Sequence, residues 1–191
     1  MSPRPKVALD LETVIETAAD IADQFGVQEV TLANLAKRLN IRPPSLYNHV
    51  EGLPGLRKEL AILGLNKLYA ELSATAVGLT GEKAIIQLSK TYINFARKHP
   101  GLYEATLLAP DPKDQDVQAS GGKIVDLTIN VLREYDLEGD SALHAVRGLR
   151  SILHGFSSLE QKGGLELALD LDVSLRLIIK AFLAGIGELK K

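Results

Sequence analysis

The chain has no cysteine and no tryptophan. Without thiols there is no disulfide framework and no thiolate metal site, a usage that suits a reducing cytoplasm. Excess positive charge is missing as well. The formal net charge is −2, and residues 1–60 carry seven lysines and arginines against eight acidic residues. Bulk electrostatics therefore lend no support to nucleic-acid binding. A long apolar run is also absent. The most apolar late stretch, residues 175–186, is broken by Arg176 and Lys180 and is too short to span a bilayer. Behind the charges of Met1-Ser2-Pro3-Arg4-Pro5-Lys6 there is no apolar core, so no signal peptide is expected. These absences predict a cytoplasmic protein with no membrane partner.

What is present is a chain of 191 residues, 46% hydrophobic, which is long enough to bury a core and too apolar for disorder. Its apolar residues recur at helical spacing throughout, and no strand is apparent. Asp10 is placed to cap a first helix with a stripe of Val14, Ile15, Ala18, Ile21, Ala22 and Phe25, closed by Gly26. Further helices are expected at about 56–76, 82–98, 124–135, 141–161 and 171–189. Pro100-Gly101 interrupts the second of these, and the run 110–114 reads as a surface loop.

Residues 31–50 carry the functional signal. Thr31 can cap a short helix whose Leu32, Leu35, Ala36 and Leu39 lie on one stripe. Asn40 tolerates the left-handed conformation of a tight turn, and Pro43 and Pro44 suit the first turn of a new helix. In that helix Leu46 and Val50 face inward, leaving Ser45, Tyr47, Asn48 and His49 outside. Hydroxyl, amide and imidazole groups without a catalytic partner suit phosphates and base edges. The spacing is that of a helix-turn-helix, with Ser45 to Val50 in the groove-entering position.

Residues 15–50, above all Ser45-Leu46-Tyr47-Asn48-His49-Val50, resemble the tetracycline-repressor (TetR) family of bacterial transcription regulators. A second resemblance, to the effector domain of the TetR subgroup with a Trp-His-Gly motif, lies in residues 95–103, in Leu153-His154-Gly155-Phe156-Ser157-Ser158-Leu159-Glu160 and in Gly163-Gly164. There Leu153 stands where the tryptophan would be. Many members have a lysine shortly after the histidine-aromatic pair; here Leu53 stands instead, and Arg57 and Lys58 are the nearest replacement charges. The resemblance implies an all-α protein, with a three-helix DNA-binding domain over residues 1–55 and a helical ligand-binding and dimerisation domain over 56–191.

The expected DNA-contacting set is Thr31, Arg42, Pro43, Pro44, Ser45, Tyr47, Asn48, His49, Arg57 and Lys58, with Tyr47 and His49 on the backbone and Arg42 and Asn48 on bases. Arg4 and Lys6 could add an arm on phosphate or in a minor groove. The acidic residues of the first helix contrast with Lys37, Arg38 and Arg42 around the turn, so local charge is more favourable than the total. So few basic contacts should bind weakly alone and gain by dimerising over two half-sites of a palindromic operator.

Tyr92, Phe95, His99, Tyr103 and Phe156 are candidates for an effector pocket, since aromatic rings with a few polar tips suit a mostly apolar molecule. His154 is a further candidate through its motif position. For the dimer interface, Gly148, Leu149, Leu153, Val173, Leu177, Ala181 and Ala184 are expected on the last two helices. The resemblance implies a four-helix interface from this pair, with Gly148 and Gly155, seven apart, allowing close approach. No cofactor, metal or enzymatic activity is expected. His144 and His154 share a helix, but ten residues at about 100° each leave them about 80° apart and nearly three turns from one another. Neither a phosphate loop after a strand nor a nucleophile elbow is recognisable. The combined reading is a DNA-binding regulator acting as a repressor that a small effector releases. The alternative is a helical interaction or scaffolding module that does not bind DNA.

Overall fold

The computed structural model describes residues 9–111 and 113–189. Among them are eight α-helices: α1 Leu11–Phe25, α2 Leu32–Leu39, α3 Gly52–Ala76, α4 Gly81–Lys98, α5 Pro100–Ala105, α6 Gln115–Leu132, α7 Gly139–Gln161 and α8 Leu171–Gly185. Short 3-10 segments cover Val27–Glu29, Pro43–Asn48, Arg133–Tyr135 and Ile186–Leu189, and no strand occurs among the described residues. The fold is all-α. No described helix is long and apolar enough to cross a membrane. The arm at Arg4 and Lys6 lies outside the described residues.

The chain divides into two compact units, residues 1–64 with 99–117, and residues 65–98 with 118–191. This division does not coincide with the linear boundary expected at residue 55. The first unit recruits residues 99–117 because α5 packs on α1. Asp10 caps α1 by accepting the Thr13 amide at 2.8 Å, and α1 buries Val14, Ile15, Ala18, Ala19, Ile21 and Ala22. Phe25, expected on the same stripe, is 61% exposed, since the helix ends there and Gly26 turns the chain away at φ 95°.

Asp23 joins α1 to the start of α5. Its Oδ2 lies 2.8 Å from Nδ1 of His99, and its Oδ1 accepts the Leu102 amide at 2.8 Å. Next to this pair, a Cβ at Gly101 would overlap the Ala22 carbonyl, so only glycine lets α5 approach α1 this closely.

In the second unit α4 buries Ala84, Ile85, Leu88, Tyr92, Ile93, Phe95 and Ala96 and packs on α7 and α8. The helices are tied at one end by Arg97, whose guanidinium donates to Glu160 on α7 at 3.0 Å and to Asp172 on α8 at 3.1 Å. Gln161 adds a bond from its side-chain amide to the Ala96 carbonyl at 3.0 Å. The helix expected at 124–135 starts earlier, at Gln115, since Asp114 accepts the amides of Asp116 and Val117 and opens it.

Gly101→Ala should therefore destabilise the protein by about 1–3 kcal/mol, the usual cost of overpacking, and lower the thermal midpoint by several degrees. Gly121→Ala on α6, where a Cβ meets nothing within 4 Å, should leave the midpoint unchanged or raise it. Equal thermal midpoints for the two variants would contradict this account of the α1–α5 contact.

Candidate nucleic-acid interface

The turn between α2 and the next segment is built locally. Thr31 Oγ1 accepts the Asn34 amide at 3.1 Å and starts α2, whose Leu35 and Ala36 are buried. Asn40 ends it in the left-handed region, at φ 54° and ψ 46°, where its amide reaches the carbonyls of Ala36 and Lys37. An asparagine is among the few side chains that tolerate this conformation.

The helix expected after the turn is a 3-10 helix, Pro43–Asn48. Its tighter bonding is visible in the Ser45 amide, which donates to the Arg42 carbonyl at 2.9 Å, and in the His49 amide, which donates to Leu46 at 2.9 Å. Two adjacent prolines supply no amide hydrogens, so the first turn has little to gain from the wider α register. Leu46 is 0% exposed and Val50 is buried, which anchors the segment to the unit. Complete burial of a leucine stabilises by roughly 1.5–3 kcal/mol. The same two anchors turn the polar residues out. Tyr47 is 63% exposed, Asn48, Arg42, Pro43 and Pro44 are exposed, and Ser45 and His49 are half-buried. A tyrosine ring held largely in water beside an amide and an imidazole is available to a ligand surface rather than to a core.

The basic residues near this face divide into two groups. Lys37 is exposed, while Arg38 donates to the Gln24 side chain at 3.0 Å. Lys58 is held by Asp114 and Asp116, each at 2.8 Å, and these carboxylates raise its pKa far above the ordinary lysine range. Its charge is matched within the unit. Arg57, its neighbour, is half-buried and carries no such pair. The acidic partners of Lys58 lie more than fifty residues away, so no local pattern in the sequence could have announced them.

The expected effector residues fall in different units. Tyr92, Phe95 and Phe156 are buried in the second, where His154 is half-buried on α7. His99 and Tyr103 belong to the first, and His99 is engaged by Asp23. Of the six, Phe156 lines an open cleft of about 420 Å³ between α7 and α8, with Ile152, Leu159, Leu167, Leu171 and Ile178.

The expected interface residues also divide. Leu149 and Leu153 are buried within their own chain, because both lie on the inward stripe of α7 with Ala145, Val146 and Phe156. Gly148 serves internal packing too, since a Cβ there would stand 3.2 Å from the ring of Phe182 on α8. Val173, Leu177, Ala181 and Ala184, by contrast, are exposed and share one stripe of α8, and Leu177 is 58% exposed. Exposed Leu159 and Ile178, with half-buried Ile152 and open Gly155, extend this apolar face. Helical spacing could have found Ile152 and Leu159, which lie at +4 and +11 from Gly148. Among the described residues no group of three histidines or carboxylates is arranged to hold a metal ion.

The fold and the outward polar face define a helix-turn-helix protein. Comparison with known proteins agrees. Residues 85–182 match the family described as tetracyclin repressor-like, C-terminal domain. The chain is 41% identical over 183 residues, 95% of each protein, to the uncharacterized HTH-type transcriptional regulator YobS of Bacillus subtilis. Among solved structures, a protein of unknown function from Rhodococcus superposes with a TM-score of 0.81 at 20% identity, covering 96% of this chain and 98% of that one. The TetR family protein ActR of Streptomyces coelicolor, solved in complex with (S)-DNPA, gives 0.70 at 18% identity, covering 95% and 98%. The chain belongs to the TetR family and is a DNA-binding transcriptional regulator.

The Lys58 clasp generates a prediction. The Lys58 ammonium, by hydrogen bonding, holds the Asp114 carboxyl below its ordinary value of 3.8. A lowered folded-state pKa contributes stability that is complete above the unfolded value and is lost as pH falls through the folded one. Lys58→Gln should thus lower the urea midpoint near neutrality, and its difference from the parent should shrink as pH falls below about 4. A difference that stayed constant down to pH 2 would refute the clasp.

Proposed function

We propose that this regulator is a homodimeric repressor that binds palindromic operator DNA through paired helix-turn-helix units and leaves it when a small, mostly apolar effector enters the helical region of residues 56–191. The observation that carries the DNA face is the outward set Ser45, Tyr47, Asn48 and His49, pinned by buried Leu46 and Val50. Tyr47, His49, Ser45 and the amide-poor turn at Pro43 and Pro44 position the phosphate backbone, with Thr31 at the start of α2 beside them. Arg42 and Asn48 read base edges. The reading places the protein in the cytoplasm and includes no catalytic step.

The dimer forms through the outward stripe of Val173, Leu177, Ala181 and Ala184 together with Ile152, Gly155 and Leu159. An exposed leucine stripe beside an open glycine supports a helix-on-helix contact, and a second copy supplies the complementary surface by symmetry. The effector is received in the second unit, where Tyr92 and Phe95 of α4 and Phe156 of α7 provide apolar walls. The small molecule in the ActR structure supports such a site by analogy. Filling it favours a spacing of the two recognition segments that no longer matches successive major grooves, about 34 Å apart.

Two measurements test this reading. In gel-shift titrations on duplexes selected from genomic fragments, Tyr47→Ala and His49→Ala should weaken binding by similar factors across sequences. Arg42→Ala and Asn48→Ala should instead relax sequence preference by about 1–3 kcal/mol at one base pair. Folded Tyr47 and His49 variants that bind as tightly as the parent would overturn the assignment. In light scattering, Leu177→Glu should convert a dimer to monomers without loss of helicity, since a charge buried in a symmetric interface is left unpaired on both sides. A parent protein that is monomeric at micromolar concentration would end the dimer model.

A further inference from the structure

Arg57 and Lys58 are successive cations on α3, yet the chain treats them differently. Lys58 is paired with two carboxylates at 2.8 Å, whereas Arg57 has no ion-pair partner among the described residues. Arg57 is half-buried at a cleft of about 260 Å³ that lies wholly within the first unit. Val27 of the 3-10 segment after α1, Leu60 of α3, and Ala105 and Leu108 at the end of α5 form the other walls, with Gln28 as a second polar group. Val27, Leu60 and Ala105 are buried and Leu108 is half exposed.

A guanidinium removed in part from water and left without a counter-ion favours an anion, and its fork matches a carboxylate with two parallel hydrogen bonds. The apolar walls add a second requirement that a DNA phosphate does not meet, because they gain only from burying hydrocarbon. The volume adds a third. It lies below the ~300–1,000 Å³ of clefts that take drug-sized ligands, so the occupant is small.

We propose that this cleft binds a carboxylate with a short aliphatic chain, the carboxylate on Arg57 and Gln28 and the chain against Val27, Leu60, Ala105 and Leu108. The cleft lies in the first unit, shares no residue with the effector walls Tyr92, Phe95 and Phe156 proposed for the second, and does not rest on the DNA reading. A ligand there ties together the segments that carry α1, α3 and α5, so it stabilises the first unit by mass action.

The test uses hexanoate as probe, with acetate and hexanol as partial ligands that lack one of the two features. Titrated by calorimetry into the full-length protein, hexanoate should bind saturably with a Kd on the order of 1 mM or tighter, and acetate and hexanol should each bind about tenfold more weakly. Arg57→Gln should weaken hexanoate about tenfold. Leu108→Glu, at a side chain exposed enough to spare the fold, places a like charge at the rim and should do the same. Circular dichroism checks that both variants keep the parent's helicity. Absence of hexanoate saturation, or equal affinity in the parent and both variants, overturns the proposal. So does a parent that ignores hexanoate while Arg57→Gln weakens duplex binding, because Arg57 would then be a phosphate contact.

Discussion

One carboxylate and one missing side chain hold the first unit in its shape. Asp23 accepts from both the His99 ring and the Leu102 amide, and Gly101 beside it lets the α5 backbone close on the Ala22 carbonyl. More than seventy residues separate these partners in the chain, and closing so long a loop carries an entropic cost that a single contact would not offset. The polar pair and the close backbone approach act together, and each has geometric requirements that the other helps to meet. With α5 in place, α1 has an apolar partner on one side and α2 on the other, and the turn at Asn40 leaves α2 from a fixed base.

The recognition segment shows how little structure is needed once that base exists. Six residues of 3-10 helix would not persist alone, since short helices lack enough bonds to repay nucleation. Leu46 and Val50 fix the segment from beneath, and the prolines restrict its backbone before folding, which lowers the entropy lost on ordering it. The polar residues then point outward as a consequence of where the apolar ones must go. On the proposed reading, affinity gains from repetition of this face by symmetry rather than from charge on one copy.

Much of this was legible in the sequence because it is local. Asp10, Thr31 and Asn40 perform the capping and turn roles that their chemistry and positions suggest, and α1, α2, α3, α4 and α7 fall near their expected spans. What could not be read is what depends on distant partners. Lys58 pairs with Asp114 and Asp116, and nothing near Lys58 in the chain signals it. Helical periodicity marked Leu149, Leu153 and Leu177 alike as apolar; only packing decides that the first two are core and the third is surface. The packing of residues 99–117 into the first unit was not legible for a similar reason, since periodicity along one helix carries no information about which remote helix covers it. The 3-10 form of residues 43–48 lies between these cases, because the proline pair was visible while its effect on the bonding register was not.

The central claim is that the face of Ser45, Tyr47, Asn48 and His49 enters the major groove, twice per dimer. Hydroxyl-radical footprinting of the unaltered protein on a duplex selected from genomic fragments tests it most directly. Two symmetric protected patches on one face of the DNA, about 10–10.5 base pairs or a multiple of that apart centre to centre, are the predicted result. A single patch without symmetry, or uniform protection that vanishes at moderate salt, would contradict it.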